Sequence, residues 1–355
     1  MNNKKRKVIA IITIVLAIII GVICGAAIWF KIQTSALSND TTQTKTITIV
    51  TGSSPSNIAK QLEDESIILS ASAFRIYIKL FAKGTVIQAG TYKLSPAEDV
   101  DHIVSYLAKG LVSQFKITFY PGATLTDITV AGTADSKKYD VTTMLKKTGY
   151  YSDEEIAAAL KGTYDSPLFQ DKPITSDLEG YIYGETYAFN VGATVRDILE
   201  ATFAEYYKVI QANNLVEGFA AHGLNLYEGI TLASIIQREA SSAADQKQVA
   251  QVFYSRIASG MTLGSDVTYQ YIADKTGVER DPKLDSPYNT RLYAGLTPGP
   301  ISSPGLSSLL AVANPAEGDY LYFLSGDDDI TYFAYTQAEH EANIVDHCKI
   351  KCSTN

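Results

Sequence analysis

The chain has 355 residues, 46% of them apolar, with 30 Lys and Arg against 38 Asp and Glu. Residues 1–31 hold five of the basic residues and no acidic one, so the remainder carries 25 basic against 38 acidic side chains, a net charge of −13. That sign excludes nucleic acid as a partner, since phosphate binding needs clustered Lys and Arg, and it suits a soluble domain outside a membrane.

Residues 1–7 end in Lys4, Lys5, Arg6 and Lys7, and Val8 to Phe30 follow as an uncharged run of 23 residues. As a helix that run is about 35 Å long, enough for a bilayer core of about 30 Å. The basic cluster precedes it and only Lys31 follows closely, which predicts a single-pass cell-membrane anchor with a cytoplasmic N-terminus and an extracellular remainder. A cleaved signal peptide is the competing reading, but its apolar core is usually about 7–15 residues. Bulky Ile23 argues against a lipoprotein site at Cys24, and Trp29, the one tryptophan, sits where an interfacial ring belongs. Residues 31–45, rich in Thr, Ser, Asn and Gln, read as an extended stalk.

Residues 46–114 predict a small α/β module: strand Thr46–Val50, helices Pro55–Glu63 and Ala71–Ala82, strand Gly90–Leu94 and helix Val100–Ala108. Residues 115–345 form one larger domain, entered through a strand at Phe115–Phe119 and dominated in its middle by helices, among them Asp153–Leu160 and Thr194–Asn213. Strands Asp319–Leu324 and Ile330–Tyr335 are joined by Ser325-Gly-Asp-Asp-Asp329, which reads as a solvated turn; the alternating oxygen ligands of a calcium loop are missing. In the tail, residues 346–355, Cys348 and Cys352 form one local disulfide or remain two thiols. A metal site recruiting His340 and His347 is disfavoured, because the four histidines are scattered and no His-Glu-x-x-His occurs. The whole reads as α+β, an ectodomain in two parts behind a transmembrane helix, with no cofactor.

Glu239 is the most informative residue. In Thr231-Leu-Ala-Ser-Ile-Ile-Gln-Arg-Glu-Ala240 a helical period puts Leu232, Ile235, Ile236, Glu239 and Ala243 on one face, with Phe253 and Ile257 extending the stripe if the helix continues. Burial disfavours the ionised carboxylate, and a carboxyl group kept protonated near neutral pH is what a general acid needs. The alternative is a stripe-edge residue that reaches solvent or pairs with Arg238 or Arg256. Further on, Ser286 to Gly305 contains four prolines and three glycines but only one charge. Such a stretch is neither helix nor central strand, and its apolar, aromatic character predicts a rigid loop with exposed backbone and tyrosine rings, the wall of a groove.

Four segments, Leu178-Glu-Gly-Tyr-Ile-Tyr-Gly-Glu-Thr-Tyr187, Ala233-Ser-Ile-Ile-Gln-Arg-Glu239, Leu263-Gly-Ser-Asp-Val-Thr-Tyr-Gln-Tyr271 and Tyr288-Asn-Thr followed by Gly295-Leu-Thr-Pro-Gly-Pro-Ile301, resemble in order and spacing the motifs of the endolytic murein transglycosylase (YceG-like) family. The resemblance spans roughly residues 46–345. It implies that Glu239 is catalytic, that residues 46–114 are a LysM-like subdomain with a glycan-docking or a packing role, and that 115–345 is the catalytic domain. The chain departs from the pattern at Gly184-Glu185, where Pro-Asp is common, at Gln237 (Glu), Arg291 (Tyr) and Thr297 (Pro).

The implied reaction cleaves the MurNAc–GlcNAc bond of nascent glycan strands to 1,6-anhydro ends, limiting their elongation beside membrane-bound synthases or division proteins. One carboxyl group suffices there, because the attacking C6 hydroxyl belongs to the same sugar, and effective molarities for internal attack reach about 10⁵–10⁸ M. Substrate contacts are expected from Asp266 and Thr268, which alternatively orient Glu239 or, for Asp266, cap a helix; from Tyr288, Asn289, Thr290 and Tyr293; and from Glu185. Either Glu179 or Glu185 opposite Glu239 would make hydrolysis feasible. Two rival classes remain. One is a non-catalytic, membrane-tethered glycan-binding scaffold. The other, a penicilloyl-serine enzyme suggested by Ser113-Gln-Phe-Lys116 and the Lys-Thr-Gly triplets at 147–149 and 275–277, is disfavoured because Ser113 leads into a strand and both triplets look like helix ends.

Overall fold

A computed structural model describes residues 3–40, 42–110, 113–126 and 139–354, with side chains from residue 12 to 352 within those ranges. The chain is α+β and divides into two compact units: residues 1–115 with 189–193, and residues 116–188 with 194–355.

The first unit opens with α1 (Asn3–Gln33), which contains a stretch, Ile12–Gln33, long and apolar enough to cross a membrane. After it come β1 (Lys45–Ile49), α2 (Pro55–Asp64), α3 (Ala71–Phe81), β2 (Gly90–Leu94) and α4 (Val100–Ala108). β1 and β2 pair antiparallel with Ile47 opposite Tyr92. Alternation along β1 sends Ile47 and Ile49 inward, onto Ile58 and Leu62 of α2, Phe74 of α3 and Ile103 and Leu107 of α4. Ser54, Ser70 and Asp99 cap the three helices, each accepting a backbone N–H two or three residues into the first turn.

Strands β3 (Gln114–Thr118) and β4 (Thr186–Asn190) pair with each other and are each divided between the two units. The second unit contains α5 (Val141–Lys147), α6 (Asp153–Leu160), α7 (Val195–Ala212), α8 (Leu215–Ala221), α9 (Leu226–Glu239), α10 (Ala243–Ala258), α11 (Asp266–Thr276) and α12 (Leu306–Ala313). A hairpin of β5 (Tyr322–Ser325) and β6 (Thr331–Ala334) follows, then α13 (Gln337–His347). Both Lys-Thr-Gly triplets lie at the ends of helices, α5 and α11, and Ser113 precedes β3. Neither context is that of a penicilloyl-serine enzyme.

The second unit is organised around α9. Its residues from Leu226 to Ile236 are buried except half-exposed Glu228, so this helix is covered on nearly every side by α8, α10, α11 and α12. Its stripe does not continue to Phe253: Ala240 is extended, and Ser242 caps a separate helix, α10. The Pro/Gly-rich segment is the expected exposed wall only in its first half, where Leu292 and Tyr293 are exposed and Arg291 lines the cavity described below. Its second half is buried, with Ile301 N–H bonded to Ser234 Oγ at 3.0 Å, Ser302 Oγ to Ser234 O at 3.0 Å, and Tyr227 Oη to Pro298 O at 2.8 Å. Small polar residues on α9 satisfy the backbone of a strap that cannot form a sheet ladder. The close fit of α8 to α9 depends on Gly229, where a Cβ would lie 2.2 Å from the buried Phe219 ring. We expect Gly229→Ala to destabilise the fold by about 1–3 kcal/mol through overpacking, against the ~1 kcal/mol helix-propensity gain of alanine. A denaturant midpoint that rises would contradict this.

Candidate active site

Glu239 is the last residue of α9 and lines a cavity of about 680 Å³. Other lining residues come from the α10–α11 connection (Thr262, Gly264), from the start of α11 (Asp266), from α10 (Arg256), from the Pro/Gly-rich segment (Arg291), from β5, and from α13 and the segment after it. Gly264 is required where it stands: its φ is +63°, and a Cβ would sit 2.7 Å from Arg256 Nη1. Arg256 in turn donates to Leu321 O and Leu263 O, both at 2.6 Å, and its guanidinium lies over the Tyr322 ring at 5.4 Å. Glycine thus allows a half-buried arginine to tie α10 to both edges of the cavity.

The pKa of Glu239 is pushed up to about 7. Loss of hydration is the main cause; the hydrogen bond from Ser265 opposes it, the charge of Asp266 reinforces it, and Arg238 and Arg256 pull it down. Its place at a helix C-terminus, the negative end of the dipole, also favours the neutral acid. Neither arginine forms an ion pair with it. Glu239 is half-buried and lines the cavity, so its carboxyl has lost much of its hydration yet remains within reach of a ligand, which suits a proton donor.

Ser265 is the residue that sequence reasoning missed. It is buried and stands at the N-cap of α11, yet its hydroxyl makes no capping bond; it donates to Glu239 Oε1 instead. Thr268 and Thr290 hold Ser265. Its N–H donates to Thr290 Oγ1 at 3.1 Å, its carbonyl accepts from Thr268 Oγ1 at 2.6 Å, and the two threonine hydroxyls are 2.9 Å apart. The signal was present as Gly264-Ser265 directly ahead of a helix start.

The expected site residues are distributed unevenly. Asp266 lines the cavity beside Glu239, ion-paired with Arg291; it occupies the first turn of α11, and the cap position, one of the roles expected of Asp266, belongs to Ser265. Thr268 and Thr290 are buried behind Ser265. Asn289 is buried too, its amide donating to Pro282 O and Leu284 O at 2.9 Å each and its oxygen accepting from Arg291 N–H at 3.0 Å. Every polar group of Asn289 that faces the loop is thereby committed. Tyr288 packs on Tyr271 at 5.5 Å between ring centroids, and exposed Tyr293 bonds to Asp285. Exposed Glu185 accepts from Thr186 N–H at 2.8 Å. None of Tyr288, Asn289, Tyr293 and Glu185 lines the cavity.

Glu179 is not a second carboxylate for this cavity either. It is buried elsewhere, accepting from Leu125 N–H at 3.1 Å and Tyr271 Oη at 3.2 Å, and burial pushes its pKa up to about 7. Among the lining residues the carboxyl groups are therefore Glu239 and the ion-paired Asp266. Gln237 closes the N-terminus of α12, where its Oε1 accepts from Gly305 N–H at 2.9 Å and Ser308 Oγ at 3.1 Å. Thr297, also buried, donates to Gly299 O at 2.8 Å within the strap. No group of three or more His, Cys, Asp or Glu able to hold a metal occurs among the described residues.

The profile of the YceG-like family matches residues 47–346. A Bacillus subtilis (strain 168) protein named endolytic murein transglycosylase is 36% identical over 331 residues, covering 90% of this chain and 89% of the relative. A Streptococcus pneumoniae (serotype 2, strain D39) protein of the same name is 27% identical over 339 residues, which is 86% of this chain and 59% of that longer protein. Among solved structures, a YceG-like protein from Listeria monocytogenes matches with a TM-score of 0.50 at 32% identity, covering 84% of this chain and 99% of the other.

Two outcomes test the geometry. Because the Ser265 bond lowers the pKa of Glu239, Ser265→Ala should move the falling, high-pH limb of the activity profile to higher pH as well as reduce kcat; an unmoved limb would deny Ser265 its positioning role. Because the folded pKa of Glu239, about 7, exceeds its ordinary value of 4.5, the folded state binds the proton more tightly, and stability present below about 4.5 is lost as pH rises through 7. The melting-temperature advantage of Glu239→Gln over the parent should therefore widen between those two pH values and then level off.

Proposed function

The chain belongs to the YceG-like family, and we propose that it is a membrane-anchored endolytic transglycosylase of peptidoglycan in which Glu239 is the sole acid and base. The observation that carries the reading is a carboxyl group held protonated near neutral pH in a cavity whose other carboxyl, Asp266, is tied up by Arg291.

Glu239 donates its proton to the bridging glycosidic oxygen as the bond to C1 of the N-acetylmuramyl sugar breaks. The electron-deficient C1 is then attacked by the C6 hydroxyl of the same sugar, whose proton passes to the Glu239 carboxylate. The acid is restored, no water is consumed, and the product ends in a 1,6-anhydro ring. Ser265 supports both halves: its hydroxyl fixes the carboxyl in place and steadies the carboxylate while it waits for the returning proton. A hydrolytic glycosidase would instead need a second carboxylate free to activate water or attack.

The N-terminal helix fits a membrane anchor. The cluster of basic residues ahead of it supports a cytoplasmic N-terminus and an extracellular catalytic unit, close to nascent strands and to the synthases that make them. For the first unit, the β-α-α-β order and its closed core support a LysM-like module over residues 46–114, in a glycan-docking or a packing role.

Digestion of purified strands by the wild-type chain and by Glu239→Gln, with products separated by mass, tests the mechanism. The expected result is product one water lighter than a hydrolysed fragment, absent with Glu239→Gln, at a rate that falls as pH rises through about 7. Reducing ends would make the enzyme a hydrolase and direct attention to Asp266.

A further inference from the structure

The family profile ends at residue 346, but the cavity does not: Cys348, Lys351 and Cys352 line it together with Glu239. The segment after α13 is held by a dense set of bonds. Asp327, in the β5–β6 turn, accepts Ile350 N–H on one carboxylate oxygen and Lys351 N–H on the other, both at 3.0 Å, and its own N–H donates to His347 O at 2.7 Å. These bonds to backbone donors hold the Asp327 carboxyl below the usual carboxylate range. Lys351 Nζ donates to Gly326 O at 2.7 Å and Asp329 Oδ1 at 2.6 Å, the His347 ring stacks on Tyr332 at 3.8 Å, and Cys348 is joined to Cys352 by a disulfide. The aspartate turn is thus the seat of the tail, not a merely solvated loop.

Ordering a chain segment costs about 1–2 kcal/mol per residue in backbone entropy alone. Of the tail only Cys348 is fully buried, so core formation does not account for the order. The charge of the cavity gives a reason. Arg256, Arg291 and Lys351 line it against Asp266 and Glu239, so with Glu239 in its acid form there are three cations to one carboxylate. This occurs in a region, residues 32–355, whose own net charge is −13. Arg256 is locked to two carbonyls; Lys351 is anchored by Gly326 O, and its ionic partner Asp329 has a side chain 90% exposed, the kind of ion pair that exchanges readily for another anion.

We propose that the tail segment His347–Cys352 completes the catalytic cavity as a cationic subsite, in which Lys351 receives a carboxylate carried on the muramyl substituent of the glycan strand while Arg291 stays paired with Asp266. Two sources supply that chemistry: the lactyl carboxylate of a peptide-stripped strand, or a carboxylate of the attached peptide. The disulfide and Asp327 keep Lys351 at the cavity wall. This deepens the transglycosylase reading and rests on it.

Binding is measured with the full chain in detergent, carrying Glu239→Gln so that strands are held without being cut. The probes are peptide-bearing strands, amidase-stripped strands, and both after their carboxylates have been coupled to methylamine. Neutralisation should weaken binding by about tenfold, the scale of one charge-assisted contact. Lys351→Gln should weaken binding of charged strands to a similar extent and leave neutralised strands unaffected. Asp327→Ala, and separately the pair Cys348→Ser and Cys352→Ser, should repeat that pattern by releasing the tail. Whichever strand class loses more on neutralisation identifies the source of the carboxylate. Equal affinity for charged and neutralised strands, equal losses on both in Lys351→Gln, or no binding of any strand overturns the subsite. Failure of the transglycosylase reading registers separately, as absence of anhydro ends when the chain with Glu239 intact is given the same strands.

Discussion

The hydrogen bond from Ser265 to Glu239 is where the two halves of this candidate site meet. One partner closes a helix buried along almost its whole length; the other opens α11, the next helix but one. Burial alone would leave Glu239 too reluctant to ionise, and a charge partner alone would make it too acidic to donate. A neutral hydroxyl, itself positioned by Thr268 and Thr290, moderates the first effect without introducing a second full charge. α9 carries that arrangement, its body held closely against α8 at Gly229 and against the strap at Ser234.

Much of this was legible in residue order. The helical period put half-buried Glu239 at the end of the face that buries Ile235 and Ile236, and the caps Ser54, Ser70, Thr194 and Ser152 stand where helix starts were expected. Such features are local, set by spacing and by one side chain meeting its own backbone. What escaped was non-local. Nothing in Thr290 indicates that its hydroxyl meets Ser265 across 25 positions, and nothing in the Pro/Gly-rich segment distinguishes an exposed wall from a strap bonded to Ser234. Asn289 illustrates the same limit: an amide suited to sugar recognition is equally suited to tying a loop to itself, and burial alone decides between them.

Three of the four departures from the family pattern now have places. Gln237 supplies an uncharged acceptor at the start of α12, where a donor-rich helix end needs one. Arg291 neutralises Asp266 and adds positive charge to the cavity. Thr297 folds its hydroxyl onto the strap. Two of the three are structural adjustments; the third alters the electrostatics in which Glu239 works.

The division of the chain also bears on how the protein is made. Residues 189–193 return to the first unit after more than seventy intervening residues, with Val191 N–H bonded to Ser113 O at 2.7 Å and Gly192 set against Thr91. A ribosome releasing the chain from its N-terminus exposes the β1–β2 core long before that last strand segment emerges. The small unit therefore reaches a packed interior early and waits, incompletely edged, for its final strand, which arrives only once the start of the large unit has already been synthesised. Assembly of the two parts is interleaved in time, so a cut anywhere between 116 and 188 would separate the first unit from a piece of itself.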